Sequence, residues 1–269
     1  MTSLKLLSGF DRRAEPRGPK ILIAGVPGVG KTTLINGVAS AMPLLVEGES
    51  GDIGIRGLDV ASVHPRTWPE CRDIAAIVGG PDPALPASAP YSQAHSDTVM
   101  ADPAKATLAD YPILFVDSIT QFSRICRIWA EQQPESFSHG KKDLRGTYGL
   151  VAREMISWFQ QLQHARAKTV VLLVVLEKIV DDYGVSTWAL QLEGQATARQ
   201  LPAVIDVLVA MHWINFGDGK PVRAFVCTNP NVWGLPAKDR SGKLEQLEEP
   251  DLSKLLAKLT PAQTEAKGD

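Results

Sequence analysis

The chain has 269 residues, of which 44% are hydrophobic and 22% are charged, and its formal net charge is −2. This composition is typical of a globular protein and excludes attraction to nucleic acid through overall charge. The three cysteines form no C-x-x-C pair and the histidines show no H-x-x-x-H spacing, which argues against a disulfide framework and a zinc site. No apolar run is long enough to span a bilayer and residues 1–20 lack an apolar signal core, so we expect a cytoplasmic protein without a membrane partner.

Short apolar runs alternate with amphipathic patterns along most of the chain. Strands are predicted at 21–24, 44–46, 112–117, 169–176, 204–214 and 222–228, and helices at 31–42, 68–78, 119–133, 149–166, 195–201 and 251–259. The alternation predicts the α/β class, with three layers and a mainly parallel central sheet. Gly217 to Gly219 is the predicted turn of a C-terminal β-hairpin.

The less regular segments divide the chain. Residues 1–19 are predicted to be a polar arm, 20–259 the folded core, and 260–269 a loose tail. Within the core, 79–110 is a long insert, rich in proline at its start, that ends in a weak helical pattern. Residues 134–147 and 178–191 are predicted polar loops.

One motif carries the first functional prediction. Residues 25–32 read G-V-P-G-V-G-K-T and match G-x-x-x-x-G-K-[ST] between a predicted buried strand and a predicted helix. In such a P-loop the glycines let backbone N–H groups face phosphate oxygens, the lysine neutralises the β- and γ-phosphates, and the threonine hydroxyl coordinates Mg²⁺. No N-K-x-D guanine motif follows the fourth strand, which favours ATP over GTP. The predicted cofactors are therefore ATP and Mg²⁺, held by Gly25, Val26, Pro27, Gly28, Val29, Gly30, Lys31, Thr32 and Thr33.

Two acidic positions complete this predicted site. Asp117 closes a strand of four apolar residues, which is the Walker B pattern of a carboxylate that holds Mg²⁺ through water. A turn residue or helix cap is the alternative interpretation. Hydrolysis also needs a group that orients water, and Glu49, just beyond the second strand, is the candidate. Glu47, on the same side of an extended chain, is its competitor, and a solvated loop carboxylate is the third interpretation.

With these residues in order, the sequence resembles the RecA-like ATPases. The P-loop is followed by Glu49, by V-D-S at 116–118, by Y-G-L-V-A-R-E-M at 148–155 and by A-K-D-R-S-G-K-L at 237–244. It looks most like the short, core-only RecA/RadA-type ATPases of phages and prophages, which include the Sak-four-type recombinases. The resemblance covers about residues 21–252, and it implies a RecA-like P-loop NTPase fold.

The resemblance also implies roles for further residues. Glu49 matches the water-activating glutamate of that family, and Glu177 falls near the position that senses the γ-phosphate, with Lys178 as the alternative. Lys238 and Arg240 match a pair of cations that reaches the γ-phosphate of a neighbouring subunit, which implies a homo-oligomer in the form of a ring or filament. A solvated hairpin is the alternative for these two cations.

The two polar loops lie where RecA-like proteins carry their DNA-binding loops. Five side chains there could contact phosphates or stack on bases of single-stranded DNA: Lys141, Lys142, Arg145, Tyr183 and Trp188. Ordinary solvated loops are the alternative, because local charge alone specifies no partner and Asp181 and Asp182 would repel DNA.

The sequence therefore predicts a Mg²⁺-dependent ATPase that acts on single-stranded DNA in phage-type recombination or annealing, with a single-strand-binding protein as a further partner. Two alternatives stay open. One is a DNA-independent oligomeric ATPase switch of the KaiC type, and the other is a P-loop small-molecule kinase.

Overall fold

A computed structural model describes residues 15–48, 52–180, 182–217 and 219–260. Most of the predicted N-terminal arm, Glu49, Asp181 and the predicted tail beyond Thr260 lie outside the described residues. None of the helices in the described ranges is long and apolar enough to cross a membrane.

The described residues form twelve strands, seven α-helices and several short 3₁₀ segments. The strands are β1 (Lys20–Gly25), β2 (Pro43–Glu47), β3 (Ala61–Val63), β4 (Ile113–Asp117), β5 (Phe137–Ser138), β6 (Lys141–Lys142), β7 (Thr169–Val180), β8 (Ser186–Leu190), β9 (Val207–Ile214), β10 (Val222–Val226), β11 (Lys238–Asp239) and β12 (Leu247–Glu248). The α-helices are α1 (Trp68–Gly79), α2 (Gln93–Met100), α3 (Pro103–Ala106), α4 (Ile119–Ala130), α5 (Leu144–His164), α6 (Gln195–Val204) and α7 (Leu252–Leu259).

Ten of the strands join in one sheet, whose main order is β12-β10-β9-β1-β7-β4-β2-β3. The strands from β9 to β3 in this order run parallel, whereas β10, β11 and β12 add antiparallel pairs at one side and β8 pairs with the end of β7. The predicted α/β fold, with a mainly parallel sheet and a hairpin formed by β9 and β10, is confirmed.

Helices cover both faces of the sheet because the parallel strands are apolar on both sides. On β1, Leu22 and Ala24 belong to a core cluster with α1, α4, α5 and α6. Ile21 and Ile23 belong to the opposite cluster, which includes α7 and the 3₁₀ helix Thr32–Ala41, called here the P-loop helix. The three predicted layers are therefore present, although the helix after the loop is wound as a 3₁₀ helix.

Both predicted polar loops contain regular structure, so their prediction as loops was wrong. Residues 134–147 hold the small β5–β6 hairpin and the first turn of α5, whose N-cap Asp143 accepts a hydrogen bond from Arg145 N at 3.0 Å. Residues 178–191 hold the end of β7 and all of β8. Strand pairing in both segments, together with the Asp143 cap in the first, satisfies backbone groups of a polar sequence, and apolar periodicity does not detect this.

Lys20, the first residue of β1, is a buried cation that ties the strand to its surroundings. Its side chain is only 4% exposed, and its Nζ donates to the carbonyls of Gly18 at 2.7 Å, Ala165 at 3.0 Å and Lys168 at 2.7 Å. One ammonium group thus binds carbonyls that precede β1, end α5 and precede β7.

We expect Lys20→Met to lower the free energy of unfolding by about 2 kcal/mol, because three buried carbonyls lose their donor while a buried charge is removed. Urea denaturation measures the change, with the exposed Lys243→Met as the control, expected within about 0.5 kcal/mol of wild type. Equal stability of the two variants would contradict this role of Lys20.

Candidate functional site

The P-loop joins the end of β1 to the P-loop helix at the carboxyl edge of the sheet. Gly28 and Gly30 have φ values of 75° and 97°, a left-handed conformation that glycine adopts at little cost. The Lys31 ammonium group donates to the carbonyls of Gly25 at 2.8 Å and Val26 at 3.1 Å, so the end of the loop is bonded to its start. Thr33 Oγ1 donates to the Gly30 carbonyl at 2.8 Å. The loop is therefore closed by hydrogen bonds to its own carbonyls, with glycine at its two left-handed positions.

Thr32 and Asp117 meet although β1, which leads into the P-loop, and β4, which ends at Asp117, are not neighbours in the sheet. β7 lies between β1 and β4 in the sheet, and the Thr32 hydroxyl donates to Asp117 Oδ2 at 2.5 Å. Two side-chain oxygens are thereby placed next to the P-loop. Among the described residues no group of three or more His, Cys, Asp or Glu side chains could hold a metal ion. This donor set fits Mg²⁺, which keeps several waters and is bound by few carboxylates together with substrate phosphates.

Glu47 stands beside Asp117 at the same sheet edge. The two residues are in register on the parallel strands β2 and β4, so their side chains lie on one face of the sheet. Glu47 is 6% exposed, and its Oε2 lies 2.9 Å from Nδ1 of His64, which follows β3. His64 Nε2 in turn lies 3.4 Å from Ser62 Oγ. Glu47 is thus a buried carboxylate in register with Asp117, whereas Glu49 lies outside the described residues.

Glu177 lies on β7, just beyond the point at which the neighbouring strand β1 ends. Val175 of β7 is in register with Gly25, so Glu177 stands two residues beyond the end of β1. Its Oε2 accepts a hydrogen bond from Gln191 Nε2 at 3.1 Å. The Lys178 ammonium group lies 5.0 Å from the ring centroid of Trp188 on the paired strand β8.

Lys238 and Arg240 contact the carboxyl end of α6 in their own chain. Lys238 Nζ donates to the carbonyls of Pro202 and Ile205, the latter at 2.8 Å, and an Arg240 Nη2 donates to the Ala203 carbonyl at 2.7 Å. Burial lowers the pKa of Lys238, and the nearby Arg240 lowers this pKa further. Both cations stabilise a helix end that leaves carbonyls without intrahelical partners.

The predicted DNA-contacting residues fall into two groups. Lys141 and Lys142 are exposed on β6, and Arg145 is exposed in the first turn of α5. Tyr183, at the tip of the β7–β8 hairpin, is 92% exposed. Trp188 is half-buried, with its ring 5.6 Å from that of His212, whose pKa is lowered by burial and by Lys178. Lys141, Lys142, Arg145 and Tyr183 are therefore exposed, whereas Trp188 packs against its own sheet.

Two residues near the site were missed by the sequence analysis. Arg223 on β10 donates from Nη1 to the Val29 carbonyl at 3.3 Å. His64 contacts Glu47, as described above. Neither residue belongs to a motif, and each reaches the site only through strand pairing, β10 through β9 to β1 and β3 through β2.

Comparison with known proteins identifies a family. Residues 17–241 match a family model described as an AAA domain (AAA_24), a range that includes the P-loop, Asp117, Lys238 and Arg240. No curated protein matches the chain. Among solved structures, the flagellar accessory protein FlaH from Methanocaldococcus jannaschii is similar at 12% sequence identity and a TM-score of 0.35, with 81% of this chain and 82% of that chain covered.

The contacts of Lys238 predict a structural contribution. Lys238→Met is expected to lower the free energy of unfolding by about 1–2 kcal/mol, because the carbonyls of Pro202 and Ile205 lose their donor. Arg240→Gln, at an exposed position, is expected to stay within about 0.5 kcal/mol of wild type. Urea denaturation of both variants tests this, and an unchanged Lys238→Met would show that the bond to α6 does not persist in solution.

Proposed function

The chain belongs to the AAA domain family, and from this premise we propose that it is a Mg²⁺-dependent ATPase whose hydrolysis site lies at the carboxyl edge of the sheet. The observation that carries the proposal is the 2.5 Å hydrogen bond between the Thr32 hydroxyl and the Asp117 carboxylate beside the P-loop. It brings the last motif residue and the Walker B residue together, as Mg²⁺ coordination beside bound phosphates requires.

The proposal gives a role to four residues of the loop and to Asp117. The backbone around Gly28 and Gly30 would hold the phosphates, and Lys31 would move from the carbonyls of Gly25 and Val26 to the β- and γ-phosphates. Thr32 and Asp117 would hold Mg²⁺, directly and through water. Bound Mg²⁺ neutralises charge that develops on the phosphates during transfer.

The residue that orients the attacking water is proposed to be Glu49, with Glu47 as its competitor. The Glu47 carboxylate is buried, and a His64 ring nitrogen lies 2.9 Å from it, which supports a positioning role beside Asp117. Glu49, two residues further along the chain, is the carboxylate proposed to contact water.

Replacing Glu49 and Glu47 separately by glutamine distinguishes water activation from positioning. Glu49→Gln is expected to lower kcat for ATP by at least about 100-fold with nucleotide affinity nearly unchanged, because only the general base is lost. Glu47→Gln is expected to lower kcat less and to raise the Mg²⁺ concentration needed for half-maximal rate. Steady-state ATP hydrolysis over a Mg²⁺ titration measures both effects. The reverse ranking of the two variants would assign water activation to Glu47.

We further propose that the ATPase acts on single-stranded DNA in recombination or annealing, as a homo-oligomer and together with a single-strand-binding protein. The supporting feature is three exposed cations, Lys141, Lys142 and Arg145, in the segment just before residues 148–155. Electrostatic contacts with phosphates and stacking on an exposed ring such as Tyr183 are the usual basis of single-strand binding.

In such an oligomer, Lys238 and Arg240 are proposed to reach the nucleotide of a neighbouring subunit. A cation supplied from another subunit stabilises charge in the transition state and couples hydrolysis to assembly. This role requires that the two side chains leave the carbonyls at the end of α6. Loss of hydrolysis in Arg240→Gln, with its stability intact, would support the role.

DNA stimulation is tested with steady-state ATP hydrolysis, with and without single-stranded DNA. We expect stimulation in wild type, no turnover in Lys31→Ala, and stimulation reduced by at least about tenfold in Lys141→Gln/Lys142→Gln, since each phosphate contact contributes to affinity. The matched control is Lys220→Gln/Lys243→Gln, which removes the same charge from exposed positions elsewhere.

Two other outcomes have a defined meaning. Lys31-dependent hydrolysis that is indifferent to DNA would contradict the DNA proposal and favour the oligomeric switch of the KaiC type. Phosphoryl transfer to a metabolite in place of hydrolysis would favour the small-molecule kinase.

A further inference from the structure

Arg223 brings a cation from a distant part of the chain to the P-loop. Its Nη1 donates to the Val29 carbonyl at 3.3 Å, across 194 positions of sequence. A Cβ atom at Gly30 would lie 2.4 Å from the same Nη1. The guanidinium group therefore occupies the space beside Gly30 that a side chain would otherwise fill. Glycine is therefore required at position 30 for two reasons: its left-handed backbone conformation and the space that Arg223 occupies.

No acidic side chain among the described residues explains the position of Arg223. In the ranges that the structure describes, Arg223 forms no ion pair with a carboxylate, and its other contact is the Trp213 ring, whose centroid lies 5.7 Å from Cζ. Trp213 is 49% exposed, so the cation–π contact is at the surface, where such contacts contribute little. One long hydrogen bond and one surface contact leave most donors of the guanidinium group available.

Positive charge is concentrated around this loop. The Lys31 ammonium lies on the carbonyls of Gly25 and Val26, the P-loop helix adds the partial positive charge of its N-terminus, and Arg223 contacts the residue that precedes Gly30. Cations gathered in this way repel one another, and an anion placed between them is stabilised by all three. A planar guanidinium group is suited to phosphate because it donates two parallel hydrogen bonds.

We propose that Arg223 is a phosphate-binding residue of the nucleotide site, which exchanges the Val29 carbonyl for oxygens of the α- or β-phosphate. The inference rests on the proposed function, because it requires that the loop binds a nucleotide. We assign these two phosphates from the place where Arg223 contacts the loop. A P-loop backbone cradles the α- and β-phosphates, whereas its lysine reaches the β- and γ-phosphates. Arg223 contacts the loop backbone at Val29 and Gly30, so its contribution is shared by ADP and ATP.

The test is equilibrium binding of ADP and of ATP to the full chain by isothermal titration calorimetry. We expect Arg223→Gln to weaken both nucleotides by roughly tenfold or more, since charge-assisted hydrogen bonds are lost. Arg223→Lys keeps the charge but not the planar donors, and is expected to fall between wild type and Arg223→Gln. Lys220→Gln removes a charge from the same hairpin three residues away and is the matched control, expected within about twofold of wild type.

The outcomes separate this inference from the proposed function. Wild-type affinity in Arg223→Gln, or a loss of affinity confined to ATP, would overturn the assignment of Arg223. Equal losses of affinity in Arg223→Gln and Lys220→Gln would also overturn it, because they would show that net charge alone is responsible. Lys31→Ala gives the reference for loss of the site. If wild type itself bound neither nucleotide, the proposed function would fail together with the inference. If only Lys31→Ala lost binding, the inference alone would fail.

Discussion

The hydrogen bond between Thr32 and Asp117 is the constraint on which the rest of the site depends. The two residues lie on elements separated by β7, so they meet only if β1, β7 and β4 are parallel neighbours in one register. Buried apolar residues on both faces of these strands fix that register, because a shift by one residue would turn every side chain to the opposite face. The core of the protein therefore sets the position of the two side-chain oxygens that are proposed to hold Mg²⁺.

The same parallel arrangement collects the other polar groups of the site. β1, β2 and β4 end at one edge of the sheet, which places the P-loop and Glu47 near Asp117, whereas β7 continues beyond this edge and carries Glu177. Ligands of open α/β sheets bind at this edge. The antiparallel strands β9 and β10 extend the sheet beside β1, and through them Arg223 reaches the loop.

The sequence predicted the parts of the site that follow directly from local pattern. The P-loop and Asp117 were found because each joins a short motif to an apolar strand. The long β7–β8 hairpin was missed because Lys178, Asp182 and Tyr183 break the apolar run, although the strand continues to Val180. The start of α5 was placed at Gly149, five residues late, because its first turn is exposed and its N-cap Asp143 precedes no apolar periodicity.

Contacts between distant segments could not be predicted from one sequence. The resemblance predicted contacts of Lys238 and Arg240 with a neighbouring subunit, yet in the structure they contact carbonyls at the end of α6, which depends on how β11 pairs with β9. His64 and Arg223 are ordinary surface residue types, and only strand order brings them to Glu47 and Val29. Residues in motifs are therefore predictable here, whereas residues that act on those motifs from other strands require the fold.

The most direct test of the account is the effect of Mg²⁺ on ATP affinity in wild type and in Asp117→Asn, measured by equilibrium binding with Mg²⁺ and with excess EDTA. The account predicts that Mg²⁺ tightens ATP binding in wild type, and that Asp117→Asn loses most of this tightening but retains the affinity measured in EDTA. ATP binding that ignores Mg²⁺ in wild type, or an unchanged response in Asp117→Asn, would contradict the assignment of Thr32 and Asp117 as the metal site.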